Sequence, residues 1–136
     1  MAAAKKLIVN VDGGARGNPG PAAIAAVARS PEGELLEERR ERIGVATNNV
    51  AEYQALLLGI ELAEAHGASE LELVGDSELI VRQVSGEYRV KDAVLRQLND
   101  RVQAALRRFD RWSIRHVRRD ENADADALVN AALDEG

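Results

Sequence analysis

The chain has 136 residues, of which 30% are charged and 46% hydrophobic, so we expect one soluble, globular domain over residues 1–136. It has no cysteine, which excludes disulfides and thiolate metal sites. No apolar stretch is long enough for a signal peptide or a membrane span, so we expect a cytoplasmic protein without a membrane partner. The net charge of −5 argues weakly against nucleic-acid binding, although residues 82–119 contain 11 Lys or Arg and only 4 acids.

The first third of the chain predicts strands separated by turns. Leu7–Val11 is typical of a buried strand, and Asp12–Pro21 of a Gly/Pro-rich loop. The small residues of Ala22–Arg29 indicate a second strand. Glu34–Arg42 leaves two alternatives open: its composition favours a helix, whereas the turn signal at Pro31–Gly33 favours a hairpin and therefore a strand.

The rest of the chain alternates between helices and strands. The predicted elements are helix Asn48–His66, strand Leu71–Val74, helix Ser77–Val84, helix Asp92–Phe109, strand Trp112–Val117 and helix Asn122–Leu133. This order is typical of a single α/β or α+β domain.

Four acidic residues stand out because they lie at strand ends or near helix starts. They are Asp12, Glu52, Asp76 and Asp126. Carboxylates at such positions can converge on one crevice of an α/β sheet. Their mutual repulsion would be costly unless a hard divalent cation neutralised it. The pattern therefore suggests a Mg²⁺ site.

Each acid also has a purely structural explanation, which is favoured when the residue is taken singly. Asp12 can begin an Asp-Gly turn, and Glu52 can complete a capping box with Asn49. Asp76 can cap the helix that follows it. Asp126 can be an ordinary exposed helix residue, and Asp124 flanks the apolar stripe of the last helix just as Asp126 does.

The surroundings of the four acids resemble type 1 ribonuclease H in order and spacing, over about residues 6–134. The matching motifs are Asp12-Gly13-Gly14 with its loop, Thr47-Asn48-Asn49-x-x-Glu52, Gly75-Asp76-Ser77, and Asn122-x-x-Ala125-Asp126-x-Leu128-x-Asn130. The resemblance implies an α/β ribonuclease H-like fold, with a five-stranded mixed sheet (three antiparallel strands, then two parallel) flanked by helices. It also makes Glu34–Arg42 a strand and selects Asp126 over Asp124.

The resemblance further implies an endonuclease that hydrolyses the RNA strand of RNA–DNA hybrids and leaves 5′-phosphate and 3′-hydroxyl ends. The four acids would then be its catalytic, metal-binding residues. Two Mg²⁺ ions about 4 Å apart, or Mn²⁺ in their place, can activate a water and stabilise the leaving oxygen. The implied partner is the hybrid, with no obligate protein partner.

Substrate contacts are implied for a second set of residues. Asn18, Asn48 and Asn49 would contact the minor groove, Thr47 a DNA phosphate, and Gly13, Gly14 and Ser77 the scissile strand. Small neutral side chains suit the wide minor groove of a hybrid and its 2′-hydroxyls.

Two departures from the family affect how the substrate would be held. The connector Val117–Glu121 lacks the loop histidine that many members carry before the last helix. In one alignment His116 takes the position of that histidine, and in another Arg118 does. We favour the second alignment, in which His116 lies on the strand.

The segment Val84–Lys91 is too short for the basic protrusion of some relatives. We also expect no hybrid-binding domain before Leu7. We therefore expect weaker hybrid binding that depends more steeply on salt than on base sequence, because phosphate contacts dominate. The candidates for these contacts are Arg89, Lys91, Arg118 and Arg119.

Two rival functions remain open. A domain without the protrusion can rely on minor-groove shape and also cut double-stranded RNA. The same fold can instead serve as a non-catalytic hybrid-binding module. The presence of all four acids argues against the second alternative.

Overall fold

The computed structural model describes residues 5–135. The strands are β1 (Lys6–Ala15), β2 (Gly20–Arg29), β3 (Leu35–Ala46), β4 (Glu70–Gly75) and β5 (Arg111–His116), and the α-helices are α1 (Asn48–Ala65), α2 (Glu78–Val84), α3 (Ala93–Leu106) and α4 (Ala123–Asp134). A short 3-10 turn, Arg119–Asn122, leads into α4. None of the helices described in residues 5–135 has the length and apolar character needed to cross a membrane.

The five strands form one mixed sheet in the order β3-β2-β1-β4-β5. β1 pairs antiparallel with β2, and β2 antiparallel with β3. β4 runs parallel to β1 on its other side, and β5 runs parallel to β4. The predicted five-stranded mixed sheet of the ribonuclease H-like fold is therefore confirmed.

Strand β2 is buried on both faces, which explains its run of small residues. Ile24 and its even-numbered neighbours join the main core with α1, whereas Ala23 and Ala25 pack against Val129 and Ala132 of α4. Successive side chains of a strand point to opposite faces, so α1 and α4 cover opposite sides of the sheet. Alanines allow both helices to approach β2 closely.

The first strand is longer than its apolar pattern predicts. Asp12 pairs with Ala25, and the pairing continues to Ala15 and Ala22, so the predicted loop shrinks to residues 16–19. The segment Asp12–Ala15 lacks the β-branched residues that signal a strand. It is extended because β2 offers it a complete antiparallel partner. The prediction of a loop over Asp12–Pro21 was therefore wrong for its first four residues and for its last two, Gly20 and Pro21, which begin β2.

The ambiguous segment after the second strand is part of β3, so the strand alternative is confirmed. Glu37–Arg42 pairs in register with β2, and β3 forms an edge of the sheet. Most of its side chains are exposed or half-buried. Pairing with β2 overrides the helical propensity of its Glu and Arg residues, because propensity is only a weak prior. Charged side chains on such an edge also discourage pairing with other chains.

Gly59 is a point at which α1 approaches the sheet closely. A Cβ atom built there would lie 2.6 Å from Val11 Cγ1 and 3.2 Å from Val9 Cγ1. The absence of a side chain thus sets the distance between α1 and β1. Because Glu52 is on α1 and Asp12 is on β1, this distance also affects how the two acids meet.

Replacing Gly59 tests this packing. Gly59→Ala gains about 1 kcal/mol of helix propensity, but overpacking a core costs about 1–3 kcal/mol. We expect a net loss of up to about 2 kcal/mol, measured by urea denaturation. Glu61→Ala, on the exposed part of the same helix, should change stability by about 0.5 kcal/mol or less. A Gly59→Ala protein more stable than the parent would contradict the close approach.

Candidate active site

Three of the predicted acids meet at one end of the sheet. Asp12 lies within β1, Asp76 directly follows β4, and Glu52 lies in the second turn of α1. Each offers a carboxylate oxygen, and the three oxygens lie within 4.8 Å of one another. β1 and β4 are parallel neighbours, so their carboxyl ends open toward the same crevice.

A glycine brings the helix acid to the strand acid. A Cβ atom on Gly13 would lie 2.2 Å from the carbonyl oxygen of Ala51, so only glycine allows β1 and α1 this close. The N–H of Gly13 also donates to Glu52 Oε1 at 3.4 Å. The close backbone approach therefore places Glu52 beside Asp12.

The structural explanations for these acids do not hold. Asp12 is a buried, paired strand residue rather than part of a turn. The N-cap of α1 is Thr47, whose Oγ1 accepts from the N–H of Val50, so Glu52 does not complete a capping box. The N-cap of α2 is Ser77, not Asp76.

Burial and mutual repulsion strongly perturb the carboxyl groups. Burial is the largest cause that raises the pKa of Asp12 from 3.8 to about 7, followed by the charge of Asp76 and a smaller effect of Asp126. Burial, and then the charges of Asp12 and Asp76, raise the pKa of Glu52 well above its ordinary value. Without a cation, the site therefore resists carrying its full negative charge.

The last helix presents Asp126, and not Asp124, to this crevice. Asp126 is half-buried, lines the same cavity as the three clustered acids, and influences the pKa of Asp12, although it lies outside the three-oxygen cluster. Asp124 is exposed and forms an ion pair with Arg29. The two residues point to different sides of α4, as ~100° of rotation per residue requires.

The cavity around the acids has a volume of about 270 Å³. Besides the four carboxylates, its lining includes Arg16, Arg119 and Asn130. Arg119 is largely exposed, and its Nε lies 3.6 Å from Asp126 Oδ1. Arg16 pairs with Asp134 at 2.7 Å. Arg119 was among the basic residues expected to contact phosphates, whereas no sequence pattern separates Arg16 from other surface arginines.

The residues with implied substrate contacts surround this cavity, and several have local hydrogen bonds. Asn18 Oδ1 accepts from the N–H of Asn48 at 3.0 Å, and Asn48 Oδ1 accepts from the N–H of Ala15 at 2.8 Å. The cavity is lined by Gly13, Gly14, Asn48, Asn49 and Ser77. Thr47 directly precedes Asn48 in the chain, and Asn18 contacts Asn48 through a hydrogen bond.

The two candidates for the missing loop histidine lie away from the acids. His116 is the last residue of β5 and lies in a groove with Glu78, Arg82 and other residues of the α2 region. Arg118 is largely exposed and pairs with Asp120 and Glu121. Neither lines the acidic cavity, and Arg119 is the residue of this connector that does.

The comparisons with known proteins agree with this geometry. The family model described as "Reverse transcriptase-like" matches residues 10–132. Ribonuclease HI of Halobacterium salinarum is 47% identical over 124 residues, which cover 91% of this chain. The chain belongs to the type 1 ribonuclease H family. Members of this family are metal-dependent hydrolases, and the three clustered acids can hold a metal ion.

Solved ribonuclease H structures share the whole fold. The crystal structure of RNase H1 from Halobacterium salinarum superposes with a TM-score of 0.94 at 44% identity, covering 96% of this chain and 99% of that one. LC11-RNase H1, solved in complex with an RNA/DNA hybrid, superposes with a TM-score of 0.91 at 42% identity, covering 95% and 97%. The match covers 62% of the length of the Halobacterium ribonuclease HI sequence.

The raised pKa of Asp12 predicts how stability depends on pH without metal. The folded protein holds a proton on Asp12 up to about pH 7, whereas the unfolded chain releases it near 3.8. The contribution of Asp12 to stability therefore falls as the pH rises through this interval. Asp12→Asn stays neutral, so in EDTA its melting temperature should exceed that of the parent at pH 8, by a margin that shrinks toward pH 4.

Asp124→Asn is the matched control for this experiment. It loses an exposed ion pair with Arg29, so it should not be more stable than the parent at pH 8. If Asp12→Asn melted below the parent at pH 8, the cost of burying a charged Asp12 carboxylate beside other acids would not dominate at this site.

Proposed function

We propose that this chain is a metal-dependent endonuclease that hydrolyses the RNA strand of RNA–DNA hybrids and leaves 5′-phosphate and 3′-hydroxyl ends. The observation that carries the proposal is the convergence of Asp12, Glu52 and Asp76, with their oxygens within 4.8 Å. The solved complex of LC11-RNase H1 with an RNA/DNA hybrid supports the substrate class. We assign the activity to one catalytic domain, residues 1–136, with its core at about 6–134.

The donor set fits a hard divalent cation. Asp12, Glu52 and Asp76 supply only oxygen ligands, which suit Mg²⁺ with Mn²⁺ as a substitute. Asp126, on the rim, would complete a site for two ions when substrate is bound. Such ions supply the charge that activates the attacking water and stabilises the leaving 3′ oxygen. Their charge would also offset the burial and the repulsion from Asp76 that raise the pKa of Asp12.

The residues around the acids would hold the hybrid. Asn18 and Asn48 use their side-chain oxygens within the protein, which leaves their NH₂ groups as donors for minor-groove acceptors. Asn49 would contribute in the same groove, and Thr47 would contact a DNA phosphate. The backbone of Gly13 and Gly14 and the hydroxyl of Ser77 would lie along the scissile strand.

Among the basic residues, Arg119 is better placed than Arg118 for a phosphate. Both arginines are largely exposed and lie near acids, but Arg119 lines the acidic cavity beside Asp126, whereas Arg118 pairs with Asp120 and Glu121 outside it. A guanidinium at the rim can bind a phosphate with two parallel hydrogen bonds. Arg118 remains a candidate for a more distant phosphate contact.

Two alternative functions differ from this proposal in their substrate range or in whether the hybrid is cleaved. A nuclease that relies on minor-groove shape would also cut double-stranded RNA. A non-catalytic hybrid-binding module would bind without cleavage, but the intact set of four acids favours an enzyme. A cytoplasmic location stays a prediction, which fractionation of the cells that express the protein would test.

A substrate panel tests the proposed activity. Labelled RNA–DNA hybrid, double-stranded RNA, single-stranded RNA and double-stranded DNA should be incubated with Mg²⁺ or Mn²⁺, with Asp12→Asn as the control for contaminating nuclease. We expect cleavage of the hybrid and at least a hundredfold loss in Asp12→Asn, as removal of a metal ligand predicts. An intact hybrid alongside a cut substrate of another kind would contradict the proposal.

Asp126 and Asp124 form a matched pair for testing the fourth acid. Both are aspartates in the first turn of α4, but only Asp126 lines the cavity. Asp126→Asn should lower the rate about tenfold or more with Mg²⁺, whereas Asp124→Asn should stay within a few-fold of the parent. Initial rates on the hybrid measure both. Equal losses in the two variants would remove Asp126 from the proposed site.

A further inference from the structure

The buried side chain of Asn122 contacts Asp76, one of the clustered acids. Asn122 is 1% exposed and lies where the 3-10 turn meets α4. Its Nδ2 donates to the carbonyl oxygen of Val11 at 2.9 Å and to Asp76 Oδ2 at 3.1 Å. Its Oδ1 accepts from Asn10 Nδ2 at 2.9 Å. All of its polar atoms therefore have partners within the protein.

These partners leave only one orientation for the amide. A backbone carbonyl can only accept, so the atom that faces Val11 must be the nitrogen of Asn122. That nitrogen has two hydrogens, and the carboxylate of Asp76 takes the second. The oxygen is then left to face Asn10, which must donate its own NH₂ group. A buried amide with a fixed orientation is a rigid support for whatever it contacts.

Asn122 acts at the place where two strands separate. The pairing of β1 with β4 ends at Asn10 and Val74. The Nδ2 of Asn122 bridges the residues just beyond that end, Val11 and Asp76. Val11 directly precedes Asp12 in the chain. One buried amide therefore connects the backbone next to one acid with the carboxylate of another.

We propose that Asn122 is a positioning residue, which holds the Asp76 carboxylate in the orientation needed to bind the cation together with Asp12. The inference rests on the metal site of the proposed function. The hydrogen bond to Oδ2 restricts rotation of the Asp76 carboxylate, which would be one of the ligands of the cation. Residues that orient a metal ligand in this way typically change metal affinity or activity by about 10–100-fold when replaced.

The test compares Asn122→Ala with Asn10→Ala in the full chain. Asn10→Ala removes another bond of the same network, but Asn10 has no bond to Asp76. The apparent Kd for Mg²⁺ is obtained from the rise in melting temperature across a Mg²⁺ titration. We expect Asn122→Ala to weaken binding by about 10–100-fold and Asn10→Ala by less than about threefold. Hybrid cleavage by Asn122→Ala should recover substantially at high Mg²⁺, with little change in KM for the hybrid.

A measurement on the parent protein keeps the inference testable if Asn122→Ala does not fold. In ¹⁵N-labelled parent protein, the side-chain NH₂ resonances of Asn122 should exchange slowly with solvent and shift when Mg²⁺ is added. Resonances that do not shift at Mg²⁺ saturation would overturn the role of Asn122.

The other outcomes separate this inference from the function on which it rests. A parent that binds Mg²⁺ and an Asn122→Ala variant with the same Kd would overturn the role of Asn122 alone. Equal weakening in Asn122→Ala and Asn10→Ala would also overturn it, because the network would then have only a general structural effect. A parent that binds neither Mg²⁺ nor Mn²⁺ would overturn the proposed metal site as well.

Discussion

Repulsion among buried carboxylates is the constraint on which the rest of this structure depends. Asp12 and Glu52 both have raised pKa values because they are removed from water and face other acids. An arrangement of this kind persists only if the surrounding fold holds it in place. The fold does so with its most buried elements: β1 lies at the centre of the sheet, and α1 packs across it.

Small residues allow the helices to pack closely on the strands that carry the acids. Gly13 lets β1 touch the backbone of α1, and Gly59 lets the same helix pack onto Val9 and Val11. The alanines of β2 allow α1 and α4 to cover opposite faces. A catalytic side chain must be held within a fraction of an ångström. Close backbone contact supplies that precision better than long, flexible side chains do.

Ion pairs reduce the positive charge available to a nucleic acid. Within the basic segment 82–119, Arg82 pairs with Glu78 and Glu87 and lies 5.4 Å from the ring centre of Tyr88. Arg108 pairs with Glu64, and Arg115 with Glu72. Arginines already paired with acids release fewer counterions on binding a phosphate backbone. Fewer released counterions would weaken hybrid binding, as expected from the short connector of residues 84–91, and would also make it less dependent on salt.

The sequence by itself determined the order of strands and helices along the chain, the approximate helix positions and the four candidate acids, because each depends on local pattern or on motifs that the chain carries intact. The apolar pattern of the last helix left Asp124 and Asp126 equivalent, and only the motif match selected Asp126. Only the tertiary structure decided that Asp12–Ala15 is a strand and that Asn122 donates a hydrogen bond to Asp76. These features depend on partners far away in the chain. A strand without β-branched residues needs its neighbour, and the role of a polar side chain is set by what the fold places within 3 Å of it.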